Sequence, residues 1–108
     1  MAVSDGDIAF AVDLFSGLGD ITTRKMMGGL CLYHDGTIFA IIGPDGALMI
    51  KGAGAFADKL DAMGCTRWEY TRKDGAHAAM PYWTLPPEAQ DHPDAAEALA
   101  REALAELR

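Results

Sequence analysis

Basic residues and cysteines are scarce in this chain of 108 residues. Nine Lys and Arg stand against 16 Asp and Glu, which gives a net charge of -7. This acidic balance argues against a general affinity for phosphate backbones or anionic membranes. Two cysteines can form at most one disulfide, and a chain of this length folds as one domain without it. We therefore expect a single domain over residues 1–108 with reduced thiols.

Long apolar runs are missing as well. No segment approaches the roughly 20 apolar residues that a membrane helix needs. The N-terminal MAVSDGD has acids where an export signal has bases followed by an apolar stretch. These absences predict a cytoplasmic protein that does not contact a membrane.

The stretch from Arg24 to Lys51 organises the predicted fold. Asp-Gly turns at residues 34–36 and 44–46 separate apolar runs, and Asp-Gly is typical of places where a chain reverses between strands. The pattern predicts strands at residues 24–33, 37–42 and 47–51. They form a three-stranded antiparallel meander, in which residues 37–42 are apolar on both faces and therefore central.

Helices and two further strands surround this meander. Ser4 and Asp7 form a capping-box pattern before a first helix, and Pro93 suits the start of a last one. Between them we predict a helix at residues 56–63 and strands at residues 65–72 and 79–85. The fold class is α+β, with an antiparallel β-sheet in the order α-β-β-β-α-β-β-α and helices mainly on one face. The other face is left for a homodimer or a protein partner to cover.

Two glycine patterns invite a functional interpretation. Gly28-Gly29 in the middle of a predicted strand indicates either a bulge or close backbone crossing, or a place where a ligand or partner approaches the main chain. Residues 52–57 match the G-x-G-x-x-A form of the dinucleotide fingerprint. That fingerprint belongs to the first crossover of a parallel βαβ unit, whereas these residues follow an antiparallel meander. We therefore predict no nucleotide cofactor.

Catalytic and metal sites find little support in the sequence. The metal-ligating candidates are Cys31, His34, Cys65 and His77, whose spacing does not resemble the close ligand pairs of zinc sites. The aspartates of the Asp-Gly turns are explained by backbone conformation. We predict no catalytic residue, no metal and no cofactor, so an enzyme is the third-ranked class.

Nucleic-acid binding is the alternative to protein binding. Aromatic residues on the later β-strands alternate with Lys and Arg residues, and such rings can stack on the nucleobases of single-stranded DNA or RNA. Large aromatic residues on short β-strands, however, usually pack in a core. Nucleic acid is therefore not favoured as the partner. The basic and aromatic set for this alternative consists of Trp68, Tyr70, Tyr82 and Trp83 with Arg24, Lys25, Arg67, Arg72 and Lys73.

A family resemblance accompanies these patterns. Residues 19–22 (GDIT), 24–29 (RKMMGG), 32–33 (LY), 35–36 (DG) and 48–51 (LMIK) resemble the amino-terminal domain of the TfoX/Sxy competence-regulator family. Met80, Tyr82-Trp83, Pro86 and the last helix are similar to the second half of that domain. The chain differs in Met27, where the family favours Phe, and in Gly52, where an acid often follows the lysine.

The resemblance implies a regulatory protein-interaction module of the bacterial cytoplasm without established catalytic residues. Regulators of this kind usually carry a second, DNA-binding domain, and this chain ends after the first, so we do not expect direct promoter binding. The residues that we take as the candidate interaction surface are Arg24, Lys25, Met27, Gly28, Gly29, Lys51 and Trp83.

Overall fold

A computed structural model describes residues 4–26, 29–43, 46–71 and 73–107. Its strands are β1 (Ile21–Met26), β2 (Gly29–His34), β3 (Thr37–Ile42), β4 (Leu48–Lys51), β5 (Arg67–Thr71) and β6 (His77–Thr84). Its α-helices are α1 (Asp5–Leu14), α2 (Gly54–Ala62) and α3 (Pro93–Leu107), with short 3-10 helices at Ser16–Leu18 and Pro87–Ala89. None of the helices in these ranges is long and apolar enough to span a bilayer.

The six strands form one antiparallel sheet in the order β1-β2-β3-β4-β6-β5. The predicted α+β class and antiparallel sheet are confirmed. The count differs by one strand, because the segment predicted as a single strand over residues 24–33 contains the end of β1 and most of β2, which pair with each other. The meander therefore has four strands in the order β1 to β4.

Local sequence chemistry explains several boundaries. The Ser4 side chain accepts a hydrogen bond from the Asp7 amide, and the Asp7 carboxylate accepts one from the Ser4 amide, so the capping box at the start of α1 is confirmed. Asp35 and Gly36 both have positive φ, at 50° and 83°. Two successive positive φ angles are typical of the tight hairpin turn that joins twisted strands such as β2 and β3.

All three α-helices pack on one face of the sheet, as predicted. The main core joins residues of the helices, such as Leu14, Leu60 and Leu99, to inward-facing strand residues such as Leu32 and Ile50. Apolar side chains at helical spacing place one stripe of α3 in this core, and these residues are Ala96, Leu99, Ala100, Ala103 and Leu104.

An irregularity in β3 shapes the same core. The pairing of β2 with β3 passes from Leu32 opposite Ala40 to Tyr33 opposite Ile38, so Phe39 is an extra residue. Such a bulge lets consecutive side chains turn to the same side. Phe39 and Ala40 are both fully buried in the main core, where the ring of Phe39 meets that of Phe15 edge-on, with centroids 5.1 Å apart.

Candidate interaction surface

The opposite face of the sheet carries a second apolar cluster that contains no residue of the described helices. Its buried members are Cys31, Ile41, Met49 and Tyr82, one from each of β2, β3, β4 and β6. Partly buried apolar side chains surround them, namely Tyr33, Ile38, Trp68 and Met80. We call this side the helix-free face. Its central residues are 2–8% exposed, so neighbouring side chains already cover them and a partner would meet the surrounding ones.

Two of the predicted surface cations lie on this face. Directly paired residues of antiparallel strands share a face. Arg24 pairs with Cys31, and Lys51 pairs with Tyr82, so both cations border the apolar cluster. They lie on β1 and β4, three strands apart, which corresponds to about 14 Å at the usual strand spacing. Arg24 is exposed and Lys51 is half-buried.

Lys25 lies on the other side of the sheet. It pairs with Leu30, which belongs to the main core beneath the helices. The side-chain alternation of a strand therefore separates Lys25 from Arg24. The structure does not gather the predicted cations into one patch.

Gly29 has a structural explanation. A Cβ atom at this position would collide with the carbonyl oxygen of Ile42 on β3. Glycine is needed because the main chain of the neighbouring strand passes close by. Met27 and Gly28, the adjoining members of the predicted surface, lie outside the described residues.

Trp83 does not belong to the exposed surface. It is 1% exposed and packs in the main core, because its pairing with Ile50 places it on the side covered by helices. Its indole Nε1 donates a hydrogen bond to Asp61 Oδ1 on α2 at 2.7 Å. The Arg67 guanidinium lies 4.6 Å from the centroid of the indole ring. This burial corrects the prediction that Trp83 belongs to the interaction surface.

The aromatic residues of β5 and β6 form no open stacking platform among the side chains that the structure describes. Tyr82 and Trp83 are buried, and the Trp68 ring packs against Tyr82 with centroids 6.4 Å apart. The Arg67 side chain is fixed by a hydrogen bond that its Nε donates to the Met80 carbonyl oxygen at 2.9 Å. Two other members of the basic and aromatic set, Arg72 and the side chain of Tyr70, lie outside the described residues.

The glycines of the fingerprint-like segment at residues 52–57 are explained by packing at Gly52 and by backbone conformation at Gly54. A Cβ at Gly52 would lie 2.7 Å and 2.9 Å from two ring carbons of Trp83 and 3.0 Å from Leu60. Gly54 has a φ of 54°, which side-chain-bearing residues rarely adopt. The segment joins β4 of an antiparallel sheet to α2, so it is not the parallel crossover that binds a pyrophosphate.

The cysteines and histidines of the considered metal set are distributed over the fold. Cys31 is buried in the helix-free face, with its Sγ 4.0 Å from Met26 Sδ, and His34 Nε2 lies 3.2 Å from the Leu18 carbonyl oxygen. Burial raises the pKa of the Cys65 thiol, and the carboxylates of Glu88 and Asp61 raise it further. A raised thiol pKa lowers the thiolate fraction, which is unfavourable for a nucleophile. The side chain of His77 is outside the described part.

A cleft of about 530 Å³ opens between α1, the β3–β4 connection and the chain after β6. Its polar groups already stabilise the chain. Asp7 closes the capping box of α1, and Gln90 donates a hydrogen bond to the Leu85 carbonyl at 3.0 Å. The side chain of Phe10 lines the cleft and is 51% exposed. No sequence pattern singled out Phe10, which directly precedes Ala11, one of the two buried residues of α1.

Comparisons with known proteins identify the family of this chain. The DNA transformation protein TfoX1 of Aliivibrio fischeri is 30% identical over 56 residues, which cover 52% of this chain and 26% of the relative. The alignment thus spans about a quarter of the relative's length. The model of the TfoX N-terminal domain matches residues 13–107, almost the whole chain. The chain belongs to the TfoX N-terminal domain family.

Proposed function

We propose that this domain is a regulatory protein-interaction module of the bacterial cytoplasm that contributes to the control of DNA transformation, and that it binds through the helix-free face. The observation that carries the proposal is the apolar cluster on this face, which no described helix covers and which Arg24 and Lys51 border. The name of the relative supplies the link to DNA transformation.

The composition of this face supports a protein partner. Partly buried aromatic and aliphatic side chains beside cations are typical of surfaces that bind proteins, where apolar contacts supply affinity and charges supply orientation. Met26 adds a side chain that is 53% exposed next to Cys31. Methionine adapts its shape to different partners, which suits a regulatory contact.

A nucleic-acid partner receives less support from the geometry. Its stacking platform requires exposed rings, and the rings of Tyr82 and Trp83 are buried. The two described cations of β1 are on opposite faces, so a single strand cannot follow both along one groove. Gel-shift assays of the domain at low ionic strength test this alternative directly, and a retarded DNA or RNA band that disappears with salt would favour it.

Variants on the two faces test the proposed function in the cell. Lys51→Glu reverses a charge on the helix-free face, and Trp68→Ala removes one of the partly buried rings there. Arg101→Glu is the control, because it reverses an exposed charge on α3, on the other side of the sheet. The assay measures transformation frequency in the native host with each variant replacing the wild-type protein.

We expect Lys51→Glu and Trp68→Ala to lower transformation frequency by at least about tenfold, the effect of losing one contact residue worth about 1.4 kcal/mol or more. Arg101→Glu should keep the wild-type frequency. Circular dichroism of the purified variants checks that each is folded. Wild-type frequencies for both variants of the helix-free face would contradict the proposal.

A further inference from the structure

The two edges of the sheet are built differently. At the β5 edge, the pairing with β6 shifts register between Arg67 and Glu69, and the Arg67 side chain folds back onto the Met80 carbonyl. The extra residues of this shift lie on β6, and they interrupt the regular pairing of β5 between Arg67 and Glu69, which makes β5 a less regular template for a further strand. At the opposite edge, β1 pairs with β2 through six residues without a shift. The β1 edge is therefore the one whose geometry accepts another strand.

The outer side of β1 is open within the described part of the chain. β1 pairs there with β2 alone, and its residues from Thr22 to Met26 are all exposed. On an edge strand, every second residue directs its amide and carbonyl away from the sheet. An extended segment that pairs with these groups gains main-chain hydrogen bonds, which is how strand-addition complexes acquire affinity.

The charges along β1 indicate what kind of segment fits. Arg24 and Lys25 are adjacent and exposed, and neither forms an ion pair with another described residue. The nearby acids lie at the other end of the strand, because Asp20 precedes β1 and Asp35 follows His34, the residue paired with Ile21. Negative charge on a partner is therefore favoured opposite Arg24 and Lys25 and disfavoured at the opposite end.

A cleft beside β1 adds a second recognition element. It has a volume of about 380 Å³ and is lined by Thr22, Thr23, Arg24, Tyr33 and Gly36. Residues two apart on an added strand share a face. A residue that is two positions from the one facing Arg24 therefore lies opposite Thr22, where its side chain can enter this cleft.

We propose that β1 binds an extended acidic segment of a partner protein by strand addition, with two consecutive acidic residues opposite Arg24 and Lys25. Because neighbouring residues alternate between faces, one carboxylate meets Arg24 on the helix-free face and the other meets Lys25 on the helix-bearing side. This inference rests on the proposed role in protein binding and names the chemistry of the partner.

A second copy of this chain fits the same edge less well. Antiparallel pairing of two β1 strands brings four cationic side chains into one ribbon, and like charges on neighbouring strands repel. An acidic segment neutralises both cations of one strand. The charge pattern therefore favours a different chain over self-association.

A synthetic peptide tests strand addition. The probe is a labelled, end-capped ten-residue peptide of alternating threonine and valine whose two central residues are glutamates. One control peptide has glutamines in place of the glutamates, and another is N-methylated at every second amide, which removes hydrogen-bond donors. Fluorescence anisotropy measures affinity, and amide chemical shifts of the labelled protein locate the bound peptide.

Charge exchange provides the matched protein variants. Arg24→Glu combined with Lys25→Glu should weaken binding of the glutamate peptide by about tenfold or more, since two favourable cross-strand pairs become repulsive. The same double variant should bind a peptide with two central lysines more tightly than the wild type does. Arg101→Glu on α3 should leave both affinities unchanged. Binding of the lysine peptide by the double variant shows that this variant is folded.

The inference is supported if the glutamate peptide shifts amides of β1, if N-methylation or glutamine weakens binding, and if charge exchange restores it. It is overturned if the peptide does not bind, if the shifts map to β5 or to α3, or if light scattering shows that β1 joins two copies. If the peptide does not bind while Lys51→Glu cells lose transformation, the strand-addition inference is rejected and the proposed function is retained. Binding at β1 with normal transformation in both the Lys51→Glu and the Trp68→Ala cells supports strand addition and removes the proposed role of the helix-free face.

Discussion

At the residue scale, Trp83 shows how one side chain connects the core to the surface. Its ring is buried under the helices, while its Nε1 donates to the exposed carboxylate of Asp61 at 2.7 Å. A buried indole usually finds an acceptor for its N–H. Asp61 supplies this acceptor from the last turn of α2, so this bond fixes the helix to β6.

Removing that acceptor should destabilise the domain. Asp61→Ala leaves the indole N–H without its protein partner, and we expect the free energy of unfolding to fall by about 1 kcal/mol. Asp58→Ala, at another exposed carboxylate of the same helix, is the matched control and should stay within about 0.5 kcal/mol of wild type. Urea denaturation measures both values. Equal stabilities for the two variants would show that the hydrogen bond contributes nothing.

Tyr82 predicts a dependence of stability on alkaline pH. Burial raises the pKa of its phenol, and the neighbouring Cys31 and Tyr33 raise it further. The folded state therefore holds the phenolic proton more tightly than the unfolded state, whose pKa is about 10. The resulting stability is complete below that value and is lost as the pH rises through the higher pKa of the folded state.

The substitution Tyr82→Phe removes this titration. Between about pH 8 and pH 11, the free energy of unfolding should fall less for Tyr82→Phe than for wild type, because the variant has no phenol to ionise at this position. Urea denaturation at the two pH values measures the difference. A fall as steep in the variant as in the wild type would contradict the assigned pKa direction.

At the element scale, the approach of α2 to β6 depends on a glycine between β4 and α2. Gly52 leaves room for the Trp83 ring and for Leu60, and an added Cβ would lie only 2.7–3.0 Å from their nearest atoms. The sequence pattern around it resembles a nucleotide fingerprint. The packing gives the residue a purely structural reason.

Gly52→Ala should therefore be destabilising. The added methyl group overpacks the junction of α2 and β6, which typically costs about 1–3 kcal/mol. Gly6→Ala is the contrasting variant, because Gly6 lies on the exposed side of α1 and its nearest side-chain atom, Ser4 Oγ, would be 3.8 Å from the new Cβ. There alanine should stabilise the helix by about 0.5–1 kcal/mol. Thermal unfolding compares the stabilities of the two variants. A Gly52→Ala variant more stable than the wild type would refute the packing explanation.

Elements specified by local chemistry were predictable from the sequence. The Asp35-Gly36 turn and the capping box at Ser4 each depend on residues close in the chain, and each was found where expected. The division of residues 24–33 into β1 and β2 was not predictable. Two successive glycines suit a bulge within one strand as well as a break between two, and strand pairing elsewhere in the fold decides between them.

At the scale of the whole molecule, the position of the helices decides what the surface can be. Side-chain alternation places Tyr82 and Trp83 on opposite faces, but it does not tell which face the helices cover. The helices cover the Trp83 side, so Trp83 is core and Tyr82 belongs to the helix-free face. The same alternation divides Arg24 from Lys25. Candidate surfaces inferred from sequence need this information before their members can be grouped.

The most direct test of the helix-free face as a binding surface is site-specific photocrosslinking in the native host. A photoreactive amino acid replaces Thr22 or Lys51 on the helix-free face, or Ala98 or Arg101 on α3 as controls. We predict a discrete adduct with a different protein from positions 22 and 51 and none from positions 98 and 101. Adducts from the two α3 positions, with none from the helix-free face, would contradict the account.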